Sequence, residues 1–478
     1  MTDSSPTNLD YTKEVRFAVV MYGGVSLAIY INGVAQELLH MVRSTASKEG
    51  TKLSGTEKVY REISYLLADD QNERSSTDAE TDQSGLPPTR FVVDIVSGTS
   101  AGGINGVFLA KALANGQNMD SLEGLWSEQG EIQTLLNDKR SIEHPLELQD
   151  PPQSLLNSQR MYLLLLKALD GMDDERTAAA RSPYVDELDL FVTSTDIRGV
   201  TLPIRLADDV VYERRHRNVM HFGYSKCEVT GDEDDRNDFV ADNNPFLAYA
   251  ARCTSSFPFA FEPMRLEDMD LVLKGLPKYK SDDSFKSASK RWEKFYKDYL
   301  NASGLGTVPF PERSFNDGGV LDNKPFTYAT ETLGHRHADV PVDRKLIYIE
   351  PSPEHPELEM ELGARPNAIQ NVKAAVLDLP RVETIRDDLQ RVLDRNRLIH
   401  RANRVMQGVE ADKEVAERTA AQNMVVAEGD NIEVARWKTL GAMAPHPNID
   451  ELWAKPELKD DEWSKLDLSD MVKRKGQS

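Results

Sequence analysis

The chain has 478 residues, 40% hydrophobic and 28% charged, and carries a formal net charge of −22. That balance supports a buried core. It argues against a nucleic-acid partner and against attraction of the whole molecule to anionic membranes, while leaving room for local basic patches. Two cysteines, Cys227 and Cys253, are too few for a disulfide scaffold or a metal site, and no metal is expected.

The first ten residues are polar, so no secretory signal is expected, and no stretch approaches the ~18 apolar residues that span a bilayer. A cytoplasmic chain is expected, one that would meet any lipid from the aqueous side. A first strand over Val15–Met21 runs into Tyr22-Gly23-Gly24 and then an apolar helical segment, Val25 to Leu39. Residues 50–90 read as an insertion: a short amphipathic helix, Glu57 to Leu67, followed by a solvated loop, Asp69 to Pro88, rich in Asp, Glu, Ser, Thr and Gln. Phe91–Val96 is a short apolar run that predicts a buried strand, and Gly103–Leu113 predicts a helix.

Between them lies Gly98-Thr99-Ser100-Ala101-Gly102, a G-x-S-x-G turn from strand to helix. Such a turn raises the serine hydroxyl above the sheet. Gly98 and Gly102 are needed because side chains there would clash, and the following helix aims its backbone amides at developing negative charge. Further along, Asp138–Pro152 reads as a loop, Gln159–Leu169 as a helix, Leu188–Asp196 as a strand, and Pro245–Pro263 as a small-residue helix and turn. Lys274–Leu300 interleaves lysines with Tyr279, Phe285, Trp292, Phe295, Tyr296 and Tyr299. It reads either as a contact for lipid headgroups, hence a candidate for peripheral membrane contact, or as a surface helix whose aromatics pack on the core. Phe315-Asn316-Asp317-Gly318-Gly319-Val320 precedes a strand, Arg344 to Glu350. Beyond Pro353, Val382, Ile385, Leu389, Val392, Leu393 and Ile399 fall on one helical face. Strands interleaved with helices predict a mostly parallel sheet covered on both faces.

An elbow serine needs a base and an oxyanion hole. The base is either one of nine histidines (40, 144, 216, 221, 335, 337, 355, 400 and 446), in a Ser-His-Asp arrangement, or Asp317, whose neighbours Gly318 and Gly319 leave it room to reach the serine directly. Backbone amides of Gly23, Gly24 and Val25 are the candidates for the hole.

The order of these features resembles the patatin-like phospholipases: strand-Gly-Gly, G-x-S-x-G, Thr195-Asp196, the Ala251–Pro258 segment, Asp317-Gly318-Gly319, then Asn323-Lys324-Pro325. The resemblance covers Val15 to about Pro325. It implies a three-layer α/β/α fold with a mostly parallel central sheet, plus a largely helical C-terminal extension. It also implies a Ser-Asp dyad with Ser100 as nucleophile and Asp317 as base, no cofactor, and a lipid or acyl-ester substrate cleaved through an acyl-enzyme. The implied layout is a catalytic domain over 1–355, with insertions near 50–90 and 265–312, and an extension over 356–478. The family's usual glycine loop, G-x-G-x-x-G or Gly-Gly-Gly-x-Arg/Lys-Gly, reads here Gly23-Gly24-Val25-Ser26-Leu27-Ala28. That variant, with Glu383–Leu389 and Asn396-Arg397, resembles a bacterial subgroup. The readings that compete are a Ser-His-Asp esterase or acyltransferase on soluble esters, and a non-enzymatic scaffold.

Overall fold

The computed structural model describes residues 11–24, 28–46, 52–69, 87–124, 135–146, 152–174, 181–206, 209–230, 235–279, 290, 292–297, 299, 308–336, 338–350, 367 and 386–422. The chain divides into two compact units, Met1–Leu389 and Gln390–Ser478. The acidic tract at 70–86, Val25, and most of 351–385 lie outside the described residues.

The first unit is built on a seven-stranded sheet of order β5-β4-β3-β2-β1-β7, with β6 paired to β3. Its strands are β1 (Lys13–Met21), β2 (Thr89–Gly98), β3 (Glu187–Arg205), β4 (Val210–Ser225), β5 (Arg236–Asn237), β6 (Phe315–Asp317) and β7 (Val342–Ile349). β7, β1, β2 and β3 form a parallel core, and β4, β5 and β6 join it antiparallel. Every residue of β2 is buried, as its Val- and Ile-rich run requires of a central strand covered on both faces.

Helices supply the covering. On one face, α1 (Ala28–Ala46), α3 (Ala101–Asn115), α4 (Ser158–Asp174) and α5 (Asn244–Thr254) bury a single continuous core that includes Val19, Val96, Ile104, Val107 and Phe108. On the other face, Ala18, Val20 and Ile95 pack in a separate cluster against Phe326 and Ala329 of α6 (Phe326–Thr332). The alternation Ala18/Val20 to one side and Val19/Met21 to the other is the period-two signature of a strand between two layers. An amphipathic helix, α2 (Gly55–Asp69), stands where the sequence places one. The C-terminal portion contains α7 (Arg386–Gln422). Among the described residues no helix is long and apolar enough to cross a membrane.

One expectation is revised, and one of the two readings of the 274–300 stretch, aromatics packed on the core, is met. The strand read as Leu188–Asp196 continues to Arg205 and folds back as β4, an antiparallel hairpin absent from the sequence reading. The pairing shifts register between Thr195 and Val200, where Gly199 adopts φ +70°. In the Lys274–Leu300 stretch, Trp292, Tyr296 and Tyr299 are buried and Phe295 packs on the core, so these aromatics belong to the interior.

The register shift has an electrostatic anchor. Asp196 Oδ1 accepts from the amides of Arg198 and Gly199, and Oδ2 accepts from Arg313 Nη1 at 2.6 Å. Both side chains of this ion pair are buried. Arg313 lies two residues before β6, so the pair holds β6 against β3. Removing one member of a buried pair strands the other charge, typically at a cost of about 3–5 kcal/mol. Asp196→Ala is therefore expected to lower stability by about that amount in a urea titration; an unchanged midpoint would show that the pair does not anchor β6.

Candidate active site

The chain passes from β2 to α3 in two residues, Thr99 and Ser100. Ser100 takes φ 54° and ψ −123°, which costs a non-glycine residue on the order of 1–3 kcal/mol. Packing imposes that conformation. A β-carbon at Gly98 would sit 2.4 Å from the Gly102 carbonyl oxygen, and one at Gly102 would sit 2.4 Å from the Met21 carbonyl oxygen. The two glycines let β1, β2 and the first turn of α3 close on one another. Ser100 N–H donates to Thr254 Oγ1 at 2.8 Å, and Thr99 N–H donates to Met21 C=O at 3.3 Å. The Ser100 side chain makes no capping bond to α3, so its hydroxyl is available elsewhere.

That hydroxyl donates to Asp317 Oδ2 at 2.7 Å, across 217 residues of sequence. Asp317 ends β6 in register with Ser194 of β3. Its backbone is held twice, by Asp317 N–H to Ser256 C=O at 2.9 Å and by Thr195 Oγ1 to Asp317 C=O at 3.0 Å. Its second carboxylate oxygen accepts from Gly319 N–H at 2.7 Å, which fixes the plane of the carboxylate and leaves Oδ2 for the serine. A β-carbon at Gly318 would lie 2.2 Å from Thr193 Oγ1, so the turn after Asp317 fits only with glycine there. Ser100 and Asp317 are each 4% exposed, so their hydrogen bond lies largely out of water, where it is electrostatically stronger.

The glycine loop after β1 meets the elbow directly. A β-carbon at Gly23 would come within 2.9 Å of Ser100 Cβ and 2.4 Å of Asn323 Oδ1. Gly24 has open space where its side chain would stand, and Val25 lies outside the described residues.

A further layer fixes these parts. Thr99 Oγ1 lies 2.6 Å from Thr193 Oγ1, and both hydroxyls reach Asp322 C=O, at 2.9 and 3.2 Å. Ser97 Oγ donates to Pro325 C=O at 2.8 Å. Arg252 is fully buried on α5, with Nε on Ser158 Oγ and its guanidinium over the Phe261 ring. Burial pushes Arg252 down to about 10, against the pull of Glu262, Cys253 and Asp317, so it stays cationic at neutral pH within electrostatic reach of the carboxylate. Three of the described histidines have partners away from Ser100: His216 Nδ1 at Asp196 C=O, His221 Nε2 at Asp189, His40 at Glu37. Among the described residues no group of His, Cys, Asp and Glu could hold a metal ion.

A family model for patatin-like phospholipases matches residues 83–330, more than half of the chain, and the chain belongs to this family. The chain is 28% identical over 350 residues to an uncharacterized membrane protein of Mycobacterium tuberculosis, covering 71% of this chain and 28% of the relative. It thus spans little more than a quarter of that relative's length. No solved structure matches.

The structure brings Ser100, Asp317, Gly98, Gly102, Gly318, Gly319 and Gly23 to one place. Thr254, Thr193 and Asp322 carry the site as well; Thr254 belongs to the Ala251–Pro258 segment of the family resemblance, and the sequence singled out none of the three individually. Nothing local marks them, because each acts on a residue far away in sequence. Thr254→Val removes the acceptor of the buried Ser100 amide, and an unsatisfied buried donor costs about 1–3 kcal/mol. Thr254→Val should lose stability of that order in urea denaturation and Thr254→Ser should recover it; equal stability of the valine variant would contradict the role given to Thr254.

Proposed function

We propose that the protein is a serine lipid acyl hydrolase of phospholipase A type, working through a Ser100–Asp317 dyad. The observation that carries this reading is the 2.7 Å hydrogen bond from Ser100 Oγ to Asp317 Oδ2 on a strained, glycine-enclosed elbow.

The mechanism follows from the geometry. Asp317 Oδ2 takes the Ser100 proton as Oγ attacks the ester carbonyl. Gly319 N–H keeps the carboxylate aimed, and the buried, cationic Arg252 lies within electrostatic reach of it. The oxyanion forms beside the first turn of α3, whose amides point at it, and against the backbone of Gly23 and Gly24; Val25, the loop's third candidate donor, lies outside the described residues. A β-carbon at Gly23 would come within 2.9 Å of Ser100 Cβ; that closeness of the loop to the serine supports its amides as the donors, which an oxyanion needs within about 3 Å. The proton on Asp317 passes to the leaving alcohol, and water then reverses the sequence to free the fatty acid and the serine. No step calls for a metal or cofactor.

An acyl-lipid substrate agrees with the surface on the segments that enter the site. Phe259, three residues beyond Ser256, is 78% exposed at φ 71°, and Leu155, whose N–H bonds Phe259 C=O, is 63% exposed. Ile29 and Tyr30, at the start of α1 after the glycine loop, are also exposed. We place peripheral membrane contact on these side chains rather than on the aromatics of 274–300. The lysines of that stretch can add electrostatic attraction.

Ser100→Ala should abolish hydrolysis of a fluorogenic acyl ester, and Asp317→Asn should lower kcat by about 10³-fold or more. Alanine at any one of the nine histidines should leave the rate within about threefold. A histidine variant that is as dead as Ser100→Ala would replace the dyad with a Ser-His-Asp arrangement, and activity in Ser100→Ala would remove the serine from the mechanism.

A further inference from the structure

Away from the Ser100 hydroxyl, a cavity of about 1090 Å³ opens along β4. Among the described residues β5 pairs only with Tyr224 and Ser225, so Val210–Gly223 forms the edge of the sheet there. Six cations line the cavity, Arg214, Arg215 and Arg217 from the strand, Arg236 from β5, and Lys294 and Lys297 from the segment packed against it. Among the described residues two carboxylates line it, Glu213 and Asp238. Asp238 is matched already, with one oxygen on Arg236 and the other on Lys294. In a chain of net charge −22, this lining is a local inversion of sign.

Edge protection explains charged residues on an exposed strand. It does not explain why lysines from a second segment converge on the same hollow. Neither histidine of the lining accounts for it, since His216 is bound to Asp196 C=O and His221 to Asp189. A single carboxylate ligand would occupy one guanidinium fork. Several arginines and lysines around one space suit a group with two or more negative charges and many acceptor oxygens, which arginine grips bidentately. The volume is that of a ligand site. Leu321 and Tyr328 form part of the wall, and Tyr328 OH donates to Asp322 Oδ2 at 3.1 Å, so an occupant would abut the segment that follows Asp317.

We propose that this cavity is a binding site for a phosphate-bearing anion, separate from the ester-cleaving hydroxyl. Phosphate chemistry is shared by soluble phosphoanions and by lipid headgroups with a phosphomonoester, and the test separates the two.

The full chain carrying Ser100→Ala, which consumes no lipid, is titrated calorimetrically with inorganic pyrophosphate. In parallel it is sedimented with phosphatidylcholine vesicles with and without phosphatidic acid. Saturable, salt-weakened binding is expected in at least one arm: pyrophosphate alone assigns a soluble ligand, and phosphatidic-acid vesicles alone assign a headgroup. The triple variant Arg214→Ala/Arg217→Ala/Lys297→Ala should weaken that binding by about tenfold or more. All three side chains are exposed, so the thermal melt should be unchanged; if it is not, Lys297→Glu alone must weaken binding. No saturable binding in either arm, or equal binding by the substituted cavity, would overturn the proposal. Because binding is read without turnover, its failure is distinct from a failure of the dyad.

Discussion

Two segments of chain 217 residues apart must meet within hydrogen-bonding distance for Ser100 to reach Asp317, and most of the first unit is arranged around that requirement. The elbow is raised by the close approach of β1, β2 and α3, which only glycine at 98 and 102 permits. The aspartate is delivered by β6, a three-residue strand too short to hold itself in place. It is held instead by pairing with β3, by Thr195 and Ser256, and by the buried Arg313–Asp196 ion pair. The strain in Ser100 is small beside the burial that opposes its relief. Fully burying one aliphatic side chain contributes about 1.5–3 kcal/mol, and α3 alone buries Ile104, Val107, Phe108, Leu109 and Leu113. A strained Ser100 is thus retained because straightening it would separate three packed elements.

What could be read from the sequence followed how local its cause was. The β2–elbow–α3 unit is encoded in adjacent residues, an apolar run, two glycines and a helix-forming run, and the structure has it in place. Asp317-Gly318-Gly319 taken alone is a turn. It gained meaning only from the order of motifs shared with a family. Thr193 and Asp322 could not be found because their partners are set by tertiary packing, and Thr254 came only within the Ala251–Pro258 segment shared with the family. The hairpin to β4 was missed because Val210–Arg217 is largely exposed, so it lacks the alternation of a half-buried strand. The aromatics of 292–299 gave no direction by composition alone. The fold turns them inward, where Tyr296 stacks on Phe310 and Phe295 on Phe246.

Charge acts here on two length scales. The net charge of −22 governs what approaches the molecule from afar, but at physiological salt its reach is only about 8 Å beyond the surface. Inside a concave, partly desolvated space, nearby charges dominate. An acidic protein with a basic hollow along its sheet edge can therefore repel polyanions in general and still hold one of the right size.

The central claim is that Ser100 is the one nucleophile activated by its surroundings. The most direct measurement is intact-mass and peptide-mapping analysis after treatment with a fluorophosphonate, comparing the parent chain with Asp317→Asn. The account predicts a single adduct on Ser100 in the parent and slow or absent labelling in the variant. An adduct on another residue, or equally fast labelling of Ser100 without the Asp317 carboxylate, would contradict it.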